Sequence, residues 1–310
     1  MESRITRREL LKRLGVTGIG LMVQPFQPLF SRETTMRRRK IPSSGEEIPV
    51  VGLGTWIQFD VGKSESERRP LREVLRLMAK EGGKVIDSSP MYGRAETVIG
   101  DLTADLGIAD EFFYATKVWT TGRQAGISQM ETSMRRMRRD TIDLMQVHNL
   151  LDWQTHLLTL KDWREQGRIR YIGVTHHTVS SHSRLEEIVK TEDIDFVQFN
   201  YSIRTRSAER NLLNTAREHG VAVLVNEPYE GGSLFGAVGG RKVPTWAERE
   251  YDINSWGQFF LKYILSHPAV TCVIPGTSNP EHLVDNMGAG YGRLPDEEGR
   301  ERMVDFMEDL

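Results

Sequence analysis

The feature that most constrains this chain is a regular alternation of eight short apolar runs with amphipathic stretches. The runs cover 50–53, 84–86, 112–115, 142–147, 169–174, 196–199, 221–225 and 271–274. Helical periodicity fills the intervals at 70–80, 95–105, 128–138, 153–166, 183–190, 208–219 and 255–266. A further helical stretch, 280–287, follows the last run, and another, 296–309, ends the chain. Strands separated by helices pair in parallel through right-handed crossovers, and eight such strands close on themselves. The open doubly wound sheet is the rival, and it usually carries Gly-x-Gly-x-x-Gly after its first strand. That position reads Gly52-Leu53-Gly54-Thr55-Trp56-Ile57, with no third glycine and no helix to follow. The alternation therefore predicts an α/β fold, a (β/α)8 TIM barrel. Ser128, with Glu131 three residues on, predicts a helix cap.

What precedes the barrel differs in character. Thr6-Arg7-Arg8-Glu9-Leu10-Leu11-Lys12 leads into a mildly apolar stretch, 14–23, closed by Pro25. Paired arginines before so short an apolar stretch read as an export signal of the twin-arginine (Tat) type. The Tat translocon is then a partner and the periplasm the expected location. The first alanine is Ala79, so no Ala-x-Ala cleavage site exists and the leader can stay attached. A start at Met36 would instead give a cytoplasmic protein. Residues 24–40 read as a linker, and 41–50 as two extended pieces around Ser43-Ser44-Gly45-Glu46-Glu47, an N-terminal β-hairpin. The domains expected are 1–35, signal and linker, and 36–310, barrel. No later segment reaches the roughly 18 apolar residues of a membrane span.

A net charge of −2 gives no electrostatic case for nucleic acid. The basic runs 37–40 and 135–139 read as solvated faces. Cys272, the single cysteine, lies in an apolar run and reads as a core thiol. No His-x-His or paired carboxylates mark the strand ends, so no metal site is expected.

Catalytic groups of such barrels sit at the C-terminal ends of the strands. Asp87 and His148 directly follow the second and fourth runs, Lys117 follows the third after Thr116, and Tyr92 lies in the loop after Asp87. Carbonyl reduction needs a proton donor beside the carbonyl oxygen. A phenol fits, and a nearby ammonium is expected to lower its pKa. Asp87 can balance Lys117, and His148 can orient the oxygen. Trp56 and Trp119 would then wall the substrate mouth.

Asp87-Ser88-Ser89-Pro90-Met91-Tyr92-Gly93, Ala115-Thr116-Lys117 and Gln146-Val147-His148-Asn149 resemble the signatures of the aldo/keto reductase family. The resemblance runs from about residue 41 to 286. It implies an NAD(P)H-dependent reductase of aldehydes or ketones with Tyr92 as acid, a small-molecule carbonyl substrate and NADP as the default cofactor, with NAD possible. Gln198 matches the family glutamine that holds the nicotinamide carboxamide, and Thr175-His176 stands where Ser-Asn is usual. Asn226-Glu227-Pro228 replaces an aromatic followed by Ser-Pro, so Asn226 cannot stack and Glu227 adds charge; Tyr229 could compensate. Gly276, Thr277, Ser278, His282 and Asn286 match the adenosine-phosphate end, where a helix starting near Pro280 can accept an anion. Gly276 and His282 stand where NADP-preferring members often carry Lys and Arg. The alternative function is a cofactor-holding barrel that senses or regulates without turnover.

Overall fold

The computed structural model describes residues 35–310. The export-signal reading falls on residues outside that range. Eight parallel strands lie in chain order: β3 (Leu53–Gly54), β4 (Val85–Asp87), β5 (Phe113–Val118), β6 (Ile142–His148), β7 (Ile169–His176), β8 (Phe196–Asn200), β9 (Ala222–Asn226) and β10 (Val270–Val273). Parallel bridges from Val51 to Val273 and from Gly54 to Gly276 join the two edges into a barrel. The seam is tight. A Cβ on Gly52 would stand 2.6 Å from the Val85 carbonyl oxygen, so only glycine fits there.

Side chains alternate in and out along each strand. Outward residues such as Ile86, Tyr114, Met145, Val147 and Val197 form one apolar cluster with the surrounding helices. Inward residues including Val85, Ala115, Leu144, Phe196 and Leu224 form a second, inside the barrel. Two residues further along each strand, the inward position turns polar: Asp87, Lys117, Gln146, Gln198 and Asn226. That step from apolar to polar is what creates the site.

The hairpin seals the opposite end. β1 (Arg38–Lys40) pairs antiparallel with β2 (Glu47–Pro49), and Ile41 and Ile48 join the interior cluster. The hairpin thus starts inside the run read as linker. The basic run 37–40 is also not simply solvated. Arg39 is part-buried and donates to the carbonyls of Leu265 (2.5 Å), His267 (3.1 Å) and Val270. Burial pushes its pKa down to about 10. Two of its nitrogens meet three carbonyls between Leu265, the end of a helix, and Val270, the start of β10, which explains the placement.

The helices are α1 (Glu65–Lys80), α2 (Ala95–Asp105), α3 (Arg123–Met137), α4 (Trp153–Glu165), α5 (His182–Thr191), α6 (Leu212–Glu218), α7 (Ser233–Val238), α8 (Thr245–Tyr251), α9 (Trp256–Leu265), α10 (Pro280–Gly288) and α11 (Glu297–Glu308). Ser128 is no cap, because α3 begins a turn earlier and Ser128 lies within it. The cap of this kind belongs to α1, where Ser64 accepts from the Glu67 amide. α7 and α8 were not foreseen; they are short and flanked by glycine or proline. Cys272 is fully buried, and burial pushes its thiol pKa up. No helix of the described residues is long and apolar enough to cross a membrane.

Candidate active site

The polar layer is organised around Asp87. Lys117 Nζ donates to Asp87 Oδ2 at 2.5 Å and to the Ser88 carbonyl at 2.7 Å. Burial opposes the ammonium, but Asp87 and then Tyr92 hold its pKa above the ordinary lysine value. The other carboxylate oxygen, Oδ1, accepts from Gln146 Nε2 and Gln198 Nε2, both at 2.9 Å. A carboxylate only accepts, so both amides must turn their nitrogens toward it. Gln198 Oε1 then faces Thr175 Oγ1 (3.0 Å) and Asn226 Nδ2 (3.3 Å). The chain of amides ends at Asn226 Oδ1, which is buried and has no hydrogen-bond partner.

Tyr92 and His148 stand above this layer. Their rings meet edge to face at 5.8 Å, and Lys117 Nζ lies 5.0 Å from the Tyr92 centroid. Burial raises the phenol pKa; Lys117 opposes the rise without reversing it. This corrects the expected lowering. The ammonium is already matched by Asp87, so too little of its field reaches the phenol. Tyr92 is therefore a protonated donor near neutrality. Burial, with Lys117 next, pushes His148 down to about 2, so the imidazole is neutral. Its Nδ1 lies 2.9 Å from Ser89 Oγ. Ser89 Oγ also accepts from the Met91 amide at 3.4 Å; a Ser89 hydroxyl that donates to Nδ1 leaves Nε2 as the ring nitrogen that carries hydrogen. Sequence reasoning missed both Ser89 and Gln146. The signal was present: Gln146 sits two residues before His148, on the inward face.

A cavity of about 840 Å³ runs from this centre across the barrel mouth to α10. Asp87, Tyr92, His148, Trp56, Thr175, Gln198 and Asn226 line it, followed by Pro228 and then Gly276, Thr277, His282 and Asn286. Four expected residues do not line it. Lys117 lies beneath the floor, fully buried. His176 is turned into its own loop, its Nδ1 accepting from the Thr178 amide at 3.2 Å. Ser278 donates to Gln58 Oε1 at 2.9 Å. Trp119 stays at the rim, 6.4 Å from the His148 ring centroid. His177, which is not among the expected residues, does line the wall and contacts Asn149 Oδ1 at 3.2 Å.

The departures after β9 acquire definite positions. Glu227 lines the cavity on a left-handed backbone, φ +49°. Burial raises its carboxyl pKa, and His177 draws it back. Glu230 turns aside, taking hydrogen bonds from Ser202 (2.5 Å) and Thr205 (2.6 Å). Tyr229 commits its hydroxyl to Asn286 Oδ1 at 2.6 Å. The α10 N-terminus is partly spent on itself: Asn279 accepts from the Glu281 amide at 2.8 Å, and Pro280 has no N–H.

These residues fit an extended dinucleotide. The orphan Asn226 Oδ1 suits the amino group of a carboxamide. Gly231 and Gly232 line the wall at positive φ with nothing within 4 Å of a would-be Cβ, leaving backbone open for close approach.

Comparison with known proteins agrees with this geometry. A model of the aldo/keto reductase family matches residues 50–301. The methylglyoxal reductase YeaE of Escherichia coli is 27% identical over 81% of this chain and 89% of its own. The NADH-specific methylglyoxal reductase of E. coli is 23% identical, covering 81% of this chain and 93% of its own. A crystal structure of an aldo/keto reductase from Klebsiella pneumoniae with NADP and acetate superposes with a TM-score of 0.74 at 23% identity, spanning 89% of this chain and 95% of its own.

Proposed function

Because the chain belongs to the aldo/keto reductase family of NAD(P)-dependent oxidoreductases, we propose that it reduces a small aldehyde or ketone to an alcohol with Tyr92 as the acid. The observation that carries this reading is the meeting of Asp87, Lys117, Tyr92 and His148 at one mouth. A bound reduced nicotinamide supplies the hydride. The chain supplies the rest. The Nε2–H of His148 donates to the carbonyl oxygen and fixes its direction. Tyr92, protonated and desolvated, gives that oxygen its proton. Lys117, held by Asp87, stabilises the phenolate left behind.

Thr175, Gln198 and Asn226 are suited to the nicotinamide amide. Pro228 and the Gly231-Gly232 backbone suit the diphosphate. Gly276, Thr277, His282 and Asn286 suit the adenosine end. NADP is the dinucleotide of the Klebsiella structure and the default expected here. Trp56 and the rim residue Trp119 favour an apolar carbonyl compound, and the relatives named for methylglyoxal support a small one.

Loss of cofactor absorbance against a panel of aldehydes tests the reading. Tyr92→Phe should lower kcat/KM by about 10²-fold or more. A chain that binds dinucleotide yet turns over nothing, with Tyr92→Phe indistinguishable from it, would establish the sensing alternative, which the Asn226-Glu227 substitution favours. Arg7-Arg8 and the apolar stretch 14–23 support export of the folded, loaded protein to the periplasm. Cell fractionation with mass spectrometry of the N-terminus tests that part.

A further inference from the structure

Charge around the cavity is one-sided. Among the described residues that line it there is no lysine or arginine, while Asp87, Glu227 and Asp285 are all present. Lys117 neutralises Asp87 from below. The other two carboxylates form no ion pair with a lysine or arginine of the described residues. Asp285 is held instead by neutral donors, Ser255 Oγ at 2.6 Å and Gln258 Nε2 at 2.9 Å. The carboxylate is therefore rigidly placed on the wall.

The neighbourhood of Asp285 strengthens the point. His282 lies three residues earlier on α10, so the two share one helix face, and both line the cavity. His282 is exposed, and an imidazole is not the permanent cation that a guanidinium is. The helix terminus that could have bound an anion has one amide capped by Asn279 and another removed by Pro280. Glu281, next to it, adds a further carboxylate.

A ribose 2′-phosphate is a dianion that is normally met by a guanidinium or ammonium. At this end of the cavity it would find the Asp285 carboxylate on the wall and no lysine or arginine among the lining residues. A ribose 2′-hydroxyl carries no charge and can donate to a carboxylate. We infer that the adenosine end is built for the free 2′-hydroxyl, so the chain binds NAD(H) at least as tightly as NADP(H). The inference rests on the dinucleotide-dependent reading above and narrows it.

Direct titration of the full chain with NADH and NADPH, followed by fluorescence, tests it without turnover. The Kd for NADPH should equal or exceed that for NADH. The ratio should grow when ionic strength falls from about 0.15 M to about 0.01 M, because screening weakens. A smaller Kd for NADPH at both ionic strengths overturns the inference while leaving the dinucleotide reading intact. Binding of neither nucleotide overturns both. Asp285→Asn should tighten NADPH more than NADH. His282→Arg, at an exposed position, provides a second variant that preserves packing. It should tighten NADPH by about tenfold relative to its effect on NADH. Equal effects of His282→Arg on the two nucleotides would also overturn the inference.

Discussion

Asp87 is in register with Ala115, so Lys117 stands one inward step above it and its ammonium folds back to within 2.5 Å of the carboxylate. The pair bridges neighbouring strands at the level where the barrel interior turns polar. Its exposure is 0% for Lys117 and 4% for Asp87.

Removing one partner strands a buried charge. Lys117→Met should cost about 3–5 kcal/mol of stability, and Asp87→Leu a similar amount. Replacing both with apolar residues should cost less than the sum of the two. Urea unfolding of the three variants checks this. Additive losses would mean that the two groups do not act as a pair.

Ser89 touches His148 Nδ1 at 2.9 Å without lining the cavity, placed to hold the tautomer with hydrogen on Nε2. Ser89→Ala should leave the unfolding midpoint within about 1–1.5 kcal/mol of wild type and lower kcat/KM for carbonyl reduction by about tenfold. A split between KM and kcat distinguishes positioning from general damage: the loss should fall on kcat. An unchanged kcat would remove Ser89 from the argument.

The pH dependence follows from two burial effects. Tyr92 is raised above its ordinary value, so the reduction rate should not fall until the pH passes about 10. His148 is lowered to about 2 in the folded chain, while an unfolded histidine titrates near 6.5. The unfolded state therefore binds a proton first as the pH drops. Stability associated with His148 is full above about 6.5 and is lost progressively toward pH 2. His267, lowered to about 4 by burial, acts in the same sense. His148→Gln should flatten the acid limb of a urea-midpoint profile below pH 6, which an imidazole already charged in the folded state would not allow.

The barrel floor gives a stability test remote from the chemistry. Ile41 is fully buried against the interior cluster. Ile41→Ala should cost about 2–5 kcal/mol while leaving kcat/KM close to wild type. A thermal melt coupled with an aldehyde assay measures both. Loss of activity without loss of stability would contradict the role of the hairpin as a plug.

Strand positions were legible because parallel strands buried on both faces read as short, nearly continuous apolar runs. All eight runs became strands, and Asp87, Lys117 and His148 fell at or beside their C-terminal ends. Tyr92 was legible from its motif. Ser89 and Gln146 were not singled out: a serine in a loop carries no signal until its neighbour across the barrel is known, and the inward position of Gln146, two residues before His148, was legible but unused. The direction of the Tyr92 shift was also hidden: it depends on how completely Asp87 neutralises Lys117, a matter of distance. The fate of His176 was settled by one local bond to Thr178. Arg39 was misread as a surface residue because its carbonyl partners lie more than two hundred positions away, at Leu265, His267 and Val270.

The plug at the barrel floor sets a limit on maturation. Met36 is buried, and Arg37 N–H bonds the Gly290 carbonyl at 2.9 Å, just before β1 begins. Processing anywhere upstream of Met36, or translation from Met36 itself, leaves that closure whole. Trimming past Lys40 would remove a strand and open the apolar interior to water from the side opposite the chemistry. A change of length upstream of Met36 would therefore leave the stopper untouched, and one that passes Lys40 would not.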